Sequence, residues 1–309
     1  MDFGTDIINK KDDERQSAKA FIFNNDLVFP YIKGTQVYLV SIKYFSNDEE
    51  QPSKRLDYKI ALRSGESKKS HSLAIEKFDF FINNQEPNLI IEQLFDEINK
   101  TIYPVHLDVN KYGAIETISN LEDIKSRWEK KKTKLKQQTT GKTFYDTCRA
   151  FEKLCSNPVK FEMTFEKDLF FSLFFNSFYK SYDKKENDEK LYNFPIIPYA
   201  QPLQYKGSWV LKSKLSKFET LKLNFSGNHK SDLFESDLDI VCHLNPELKL
   251  PEILTASCFL EYRNTKQTKT VEVSIARSQD HYSDLEAPKI ELEQKEVKKN
   301  KKWPFNFFK

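Results

Sequence analysis

Glycine is nearly missing from this chain. There are 7 in 309 residues, about a third of the usual share of ~7%, and no two fall within three positions of each other. That isolation excludes G-x-G-x-x-G, the phosphate-cradling G-x-x-x-x-G-K-[ST] loop and the G-x-S-x-G elbow. The commonest nucleotide-binding folds and the serine-hydrolase fold go with them. Cysteine is scarce too. Cys148, Cys155, Cys242 and Cys258 show no C-x-x-C spacing, which favours buried free thiols over a metal or disulfide framework. The five histidines, His71, His106, His229, His243 and His281, make no H-E-x-x-H or paired pattern. No cofactor is expected.

Long apolar runs are also absent. Met1 to Lys19 is polar with charges of both signs, unlike a signal peptide. The richest stretch, Leu169 to Tyr182, is short and holds Ser172, Asn176 and Lys180, so no transmembrane segment is expected. Free thiols and the absence of a leader together point to the cytoplasm. Nor does one sign of charge dominate. The 49 basic and 46 acidic groups leave +3, too little for a global field that would hold a nucleic acid.

What is abundant is phenylalanine, 26 residues. Lysine, asparagine and isoleucine are frequent as well, and an A·T-rich genome accounts for all four without any function. The order of hydrophobic periods is more informative. Tyr38, Val40, Ile42 and Tyr44 alternate, as do Leu56, Tyr58, Ile60 and Leu62, giving strands. From Leu73 to Ile82 the alternation slips between Ile75 and Phe78, predicting a β-bulge around Glu76–Lys77. The period then lengthens: Ile91, Leu94, Phe95, Ile98 and Ile102 predict a helix over 89–102, ended by Pro104. A hairpin follows through Val105, Leu107, Val109 and the turn at Asn110–Gly113. Asn120 is a helix N-cap candidate with Asp123 placed to reach back. The helix it opens carries five lysines between Lys130 and Lys136, a solvated face or a phosphate-binding stripe. Two more helices are expected, one after Gly141 and one near 166–182, the latter bearing Phe170, Phe171, Phe174, Phe175 and Phe178 as core. Strands resume at about 207–213, 218–226, 237–244, 255–263 and 268–277.

Strands, helices, then strands, without β–α–β alternation, predict an α+β fold. Antiparallel sheets from the N- and C-terminal parts would enclose a central block of helices. The expected divisions are a disordered N-terminus at 1–17, an α+β region at 18–182, and a charged, proline-bearing linker at 183–203. An antiparallel β region at 204–279 and a tail at 280–309 complete the chain.

Two segments carry candidate chemistry. Phe225-Ser226-Gly227, followed by Ser236-Asp237-Leu238-Asp239, resembles a nucleotidyltransferase signature. Asp237 and Asp239 on one strand face, with Glu272 from a neighbouring strand, would hold Mg²⁺ against a triphosphate. The serine precedes the glycine, however, the reverse of that family's order, and the surroundings are strands where a helix is required. The second segment is the basic-aromatic end, in which Lys301, Lys302, Trp303, Phe305, Phe307 and Phe308 would dock a protein partner. Such an end would alternatively make peripheral membrane contact or fold back on the chain's own core. The phenylalanine surplus adds a third reading, an apolar-ligand cavity.

One stretch has a likeness elsewhere. Residues 103–128, through Gly113, Ile118, Asn120, Ile124 and Trp128, resemble a hairpin–helix segment of uncharacterised cytoplasmic proteins of Bacteroidota. Those positions are a turn glycine, a strand residue, an N-cap and two core positions, and the resemblance implies no activity. The leading expectation is a non-enzymatic binding or assembly protein acting through protein–protein contacts.

Overall fold

The computed structural model describes residues 16–22, 26–47, 49–65, 71–175, 178–182, 190–196 and 201–279. Among these residues eleven strands form one sheet. They are β1 (Gln36–Ser46), β2 (Lys54–Ser64), β3 (Ser72–Ile82), β4 (Val105–Val109), β5 (Ile115–Ile118), β6 (Lys190–Phe194), β7 (Leu203–Leu211), β8 (Leu221–Lys230), β9 (Phe234–Leu244), β10 (Pro251–Tyr262) and β11 (Thr268–Ser278). The helices are α1 (Ile90–Ile102), α2 (Leu121–Gln138), α3 (Lys142–Cys155), α4 (Pro158–Glu166) and α5 (Leu169–Phe174).

The order across the sheet is β5-β4-β3-β2-β1-β11-β10-β9-β8-β7-β6, and every neighbouring pair is antiparallel. This corrects the expected α+β fold with two separate sheets. Of the described residues 43% are strand and 27% helix, so the protein is mostly sheet. The two halves join because their hydrophobic alternations share a register. Ile42 sits opposite Leu56 on one side and Val273 on the other, and the row continues through Ala256, Ile240, Phe225 and Trp209. A slip of one residue at the β1–β11 seam would turn half of that row out to water.

The helices cover the apolar face. Phe170, Phe171 and Phe174 are buried, with Phe174 edge-on to Tyr38 of β1 at 4.9 Å between centroids and Phe171 edge-on to Phe165 at 4.8 Å. The helix expected over 166–182 is interrupted. Asp168 accepts from the backbone N–H of Phe170 and Phe171, which starts α5 afresh after α4 has ended. Asn157 caps α4 in the same way, through the Lys160 N–H, with Pro158 following it.

Three smaller expectations also change. Asn120 stands at the N-cap position of α2, as expected, but its side chain makes no capping bond. Its side chain accepts from His106 N–H at 2.8 Å and donates to the Pro104 carbonyl at 2.9 Å, pinning α2 to β4. Lys190–Phe194, inside the expected linker, pairs with β7 as an edge strand. The irregularity in β3 lies opposite Asp57–Lys59, where Asp79 adopts a φ of 52°, not at Glu76–Lys77. The hairpin of β4 and β5 forms as expected, around an Asn110 side chain that accepts from Tyr112 and Ala114 N–H.

Candidate functional site

The later placement of the β3 irregularity matters because it leaves Lys77 in phase with Leu73 and Ile75, on the face that packs against the helices. Ile60 and Leu62 of β2 stand opposite Lys77 and Ile75 and are fully buried. The Lys77 Nζ rests 3.9 Å from the centroid of the Tyr58 ring and 5.5 Å from that of Phe80. No carboxylate among the described residues pairs with it. Asp168 and Asp96 act on it only through the wider field, and both are engaged elsewhere: Asp168 caps α5, and Asp96 binds Lys100 at 2.6 Å. Burial lowers the Lys77 pKa, and the two carboxylates offset this only in part. Beside it, the Tyr58 hydroxyl is buried with no hydrogen-bond partner among the described residues.

Lys77 opens into a cleft of about 1260 Å³. Six consecutive residues, Glu76 to Phe81, line one wall. Consecutive strand residues point to alternate faces, so the cleft runs along the edge of β3 and not over one face. Among the described residues β4 is the strand on that side of β3, and it pairs only from Ser72 to Ile75. The chain leaves β3 at Ile82, runs back as α1, and reaches β4 only afterwards. The opposite walls are α1, with Ile90, Leu94 and Glu97, and the second half of α2, with Lys131, Lys134 and Leu135.

Both helices are held where they are by specific contacts. Glu97 of α1 takes Lys131 and Lys100; burial opposes its ionisation, but those hydrogen bonds hold its carboxyl below the usual range. Arg127 of α2 donates to the carbonyls of Thr101, Ile102 and Pro104 at 2.8–2.9 Å, satisfying groups that the end of a helix leaves open. Glu76, on the outward side of the same edge, is pushed up to about 7 by burial, with Arg127 opposing the shift. Of the five lysines in the α2 run, Lys131 and Lys132 are spent on Glu97, Glu129 and Glu152, which leaves little of a phosphate-binding stripe.

The carboxylates singled out from the sequence lie elsewhere. Asp237, Asp239 and Glu272 are on the exposed face of β9 and β11. Ser257 of β10 stands opposite both Asp239 and Glu272, so two strand spacings, about 10 Å, separate those two backbones. Ser226 donates to Asp239 at 2.5 Å. Among the described residues no group of three or more His, Cys, Asp or Glu side chains is placed to hold a metal ion. Gly227 faces Gly207 across β7 and β8, with the Phe225 ring lying over the pair. The Ser-Gly step is thus a packing device. Cys242 is buried while the adjoining His243 turns outward to Thr220, 2.8 Å away. All four cysteines are free and buried.

Lys301, Lys302, Trp303, Phe305, Phe307 and Phe308 lie outside the described residues, as do 1–15 and 280–309 generally. The buried phenylalanines pack into one continuous core. The β3 edge was missed in the sequence because its signal, a lysine at an apolar-phase position, reads equally well as a phase slip. Among the described residues no helix is long and apolar enough to cross a membrane. No protein-family model matches the chain, and no curated protein matches it in sequence.

Proposed function

We propose that this chain is a non-enzymatic binding or assembly protein that receives a segment of a protein partner in the cleft between β3 and the helices α1 and α2. The observation that carries the reading is that cleft of about 1260 Å³, lined by Glu76 to Phe81 on one side and by the two helices on the others. The cleft is also larger than the ~300–1,000 Å³ typical of small-molecule sites. Its two helical walls would bind the side chains of that segment.

The test is selection of a random heptapeptide phage library on the immobilised full-length chain, followed by hydrogen exchange with the selected peptides. The expected result is new protection of amides in 76–81 and no change in β9 to β11. An empty selection, or protection confined to other elements, would overturn the reading. The basic-aromatic end, through Trp303, Phe305, Phe307 and Phe308, is proposed on sequence grounds as a second contact. Deleting 298–309 and comparing the partners retained tests it.

A further inference from the structure

Lys77 lines the cleft with its amine against the Tyr58 and Phe80 rings, and no carboxylate among the described residues pairs with it. A site built for an anion gathers several charged donors. Here the ammonium groups on the helical walls are taken or apart: Asp96 and Glu97 hold Lys100, Glu97 also holds Lys131, and Lys134 stands exposed on α2. The same cleft is lined by the carbon of Phe80, Ile90, Leu94 and Leu135. Burial lowers the Lys77 pKa, so at neutral pH more of it is free base than of a lysine in water, and the free base is the nucleophile. The two carboxylates that oppose this are committed, Asp168 to the start of α5 and Asp96 to Lys100. Beside the amine, the buried Tyr58 hydroxyl has no hydrogen-bond partner among the described residues.

We infer that Lys77 is a covalent binding site for a carbonyl compound, an aldehyde or ketone with an apolar body, which it captures as an imine. This goes beyond the partner reading above and does not depend on it. The lone pair of the Lys77 nitrogen attacks the carbonyl carbon and forms the C–N bond. The carbonyl oxygen takes up one of the two amine protons through solvent, giving a carbinolamine. That hydroxyl then leaves with the second amine proton as water, and the C=N bond remains. One water is released, nothing is oxidised or reduced, and the capture is reversible. A partly desolvated wall favours it twice, by keeping the amine unprotonated and by limiting the water that reverses the step. The apolar lining supplies the surface on which the body of the compound rests.

The test is reductive trapping on the full-length protein at pH 7. Benzaldehyde is the probe, sodium cyanoborohydride converts any imine to a stable secondary amine, and mass spectrometry of tryptic peptides gives the rate at each lysine. Lys77 should be benzylated first, roughly tenfold ahead of the exposed Lys134 of the same cleft. In urea that lead should vanish, because it comes from the folded wall and not from the neighbouring sequence. Lys77→Arg, confirmed as folded by its melting curve, keeps a cation that forms no imine under these conditions. It should lose the fast adduct and keep the slow labelling of surface lysines. Lys77 reacting no faster than Lys134 in the folded chain would overturn the inference. So would a lead that persists in urea, or a fast adduct that survives in Lys77→Arg.

Discussion

The Lys77 amine lies 3.9 Å from the centroid of the Tyr58 ring, on a sheet face where its cross-strand neighbour Ile60 is fully buried. Stacking on an aromatic face returns part of the lost hydration, but burial still lowers the lysine pKa from 10.5. Between the folded pKa and 10.5 the unfolded chain binds a proton that the folded chain does not, so stability rises with pH through that window. Below it the penalty is present in full. Lys77→Met should therefore stabilise the free protein at pH 7 by about 1 kcal/mol, with the gain closing as pH approaches 10.5. Urea denaturation of both proteins at pH 7 and pH 10 reads this directly. A less stable methionine variant at pH 7 would mean that stacking outweighs desolvation.

Glu76 gives the opposite slope on the acidic side. Burial raises its pKa to about 7 from 4.5, so between those values the folded chain holds a proton that the unfolded chain has released. Its contribution falls as pH rises from 4.5 through 7 and stays unfavourable above. Glu76→Gln should be near neutral at pH 4.5 and stabilising at pH 8. Denaturation midpoints across that range, compared with wild type, measure the difference. Parallel pH profiles would show that Glu76 does not titrate in this window.

Much of the local structure was legible because strands and amphipathic helices write their period into the sequence. Tyr38, Val40 and Ile42 alternate over the length of β1, and Leu94 and Ile98 mark the buried stripe of α1. The partner of β1 was not legible. Its pairing with β11 joins residues such as Ile42 and Val273, and nothing local distinguishes one apolar alternation from another as a mate. Asn120 takes the N-cap position of α2 but not the capping bond, for a related reason: its side chain bonds His106 of β4 and the Pro104 carbonyl instead, partners visible only once the strand was in place. As for the site, a lysine at an inward strand position is a residue that contradicts its surroundings. Such contradictions concentrate where function opposes folding.

The facing glycines of β7 and β8 make a sharper stability test than any core truncation. A Cβ on Gly207 would stand 2.3 Å from the Ser226 carbonyl oxygen and 2.7 Å from the Gly227 Cα. Those are backbone atoms held by the sheet, so they cannot move aside cheaply. A Cβ on Gly227 meets mainly the Phe225 ring, at 2.7 Å, and a ring can tilt. Gly207→Ala should cost about 2–3 kcal/mol and Gly227→Ala about half of that. Adding Phe225→Leu should relieve the second substitution and not the first. Chemical denaturation of the set checks the ordering, and equal costs at the two glycines would refute the account.

Arg127 is the place where α1, α2 and the cleft are coupled. Its guanidinium serves three carbonyls, those of Thr101, Ile102 and Pro104, and its charge also restrains the rise of the Glu76 pKa. Arg127→Met leaves the three carbonyls without this donor and should cost about 2–4 kcal/mol. Arg127→Lys, whose single ammonium lacks the planar fork, should recover only part of that. The electrostatic half separates from the structural half through pH. Without the guanidinium, Glu76 loses its only named restraint, so the carboxyl should titrate at a still higher pH in Arg127→Met and stay near the wild-type value in Arg127→Lys. Carbon-13 NMR of the glutamate carboxyl during a pH titration would follow it. An unmoved Glu76 in the methionine variant would show that Arg127 acts on the helix ends alone.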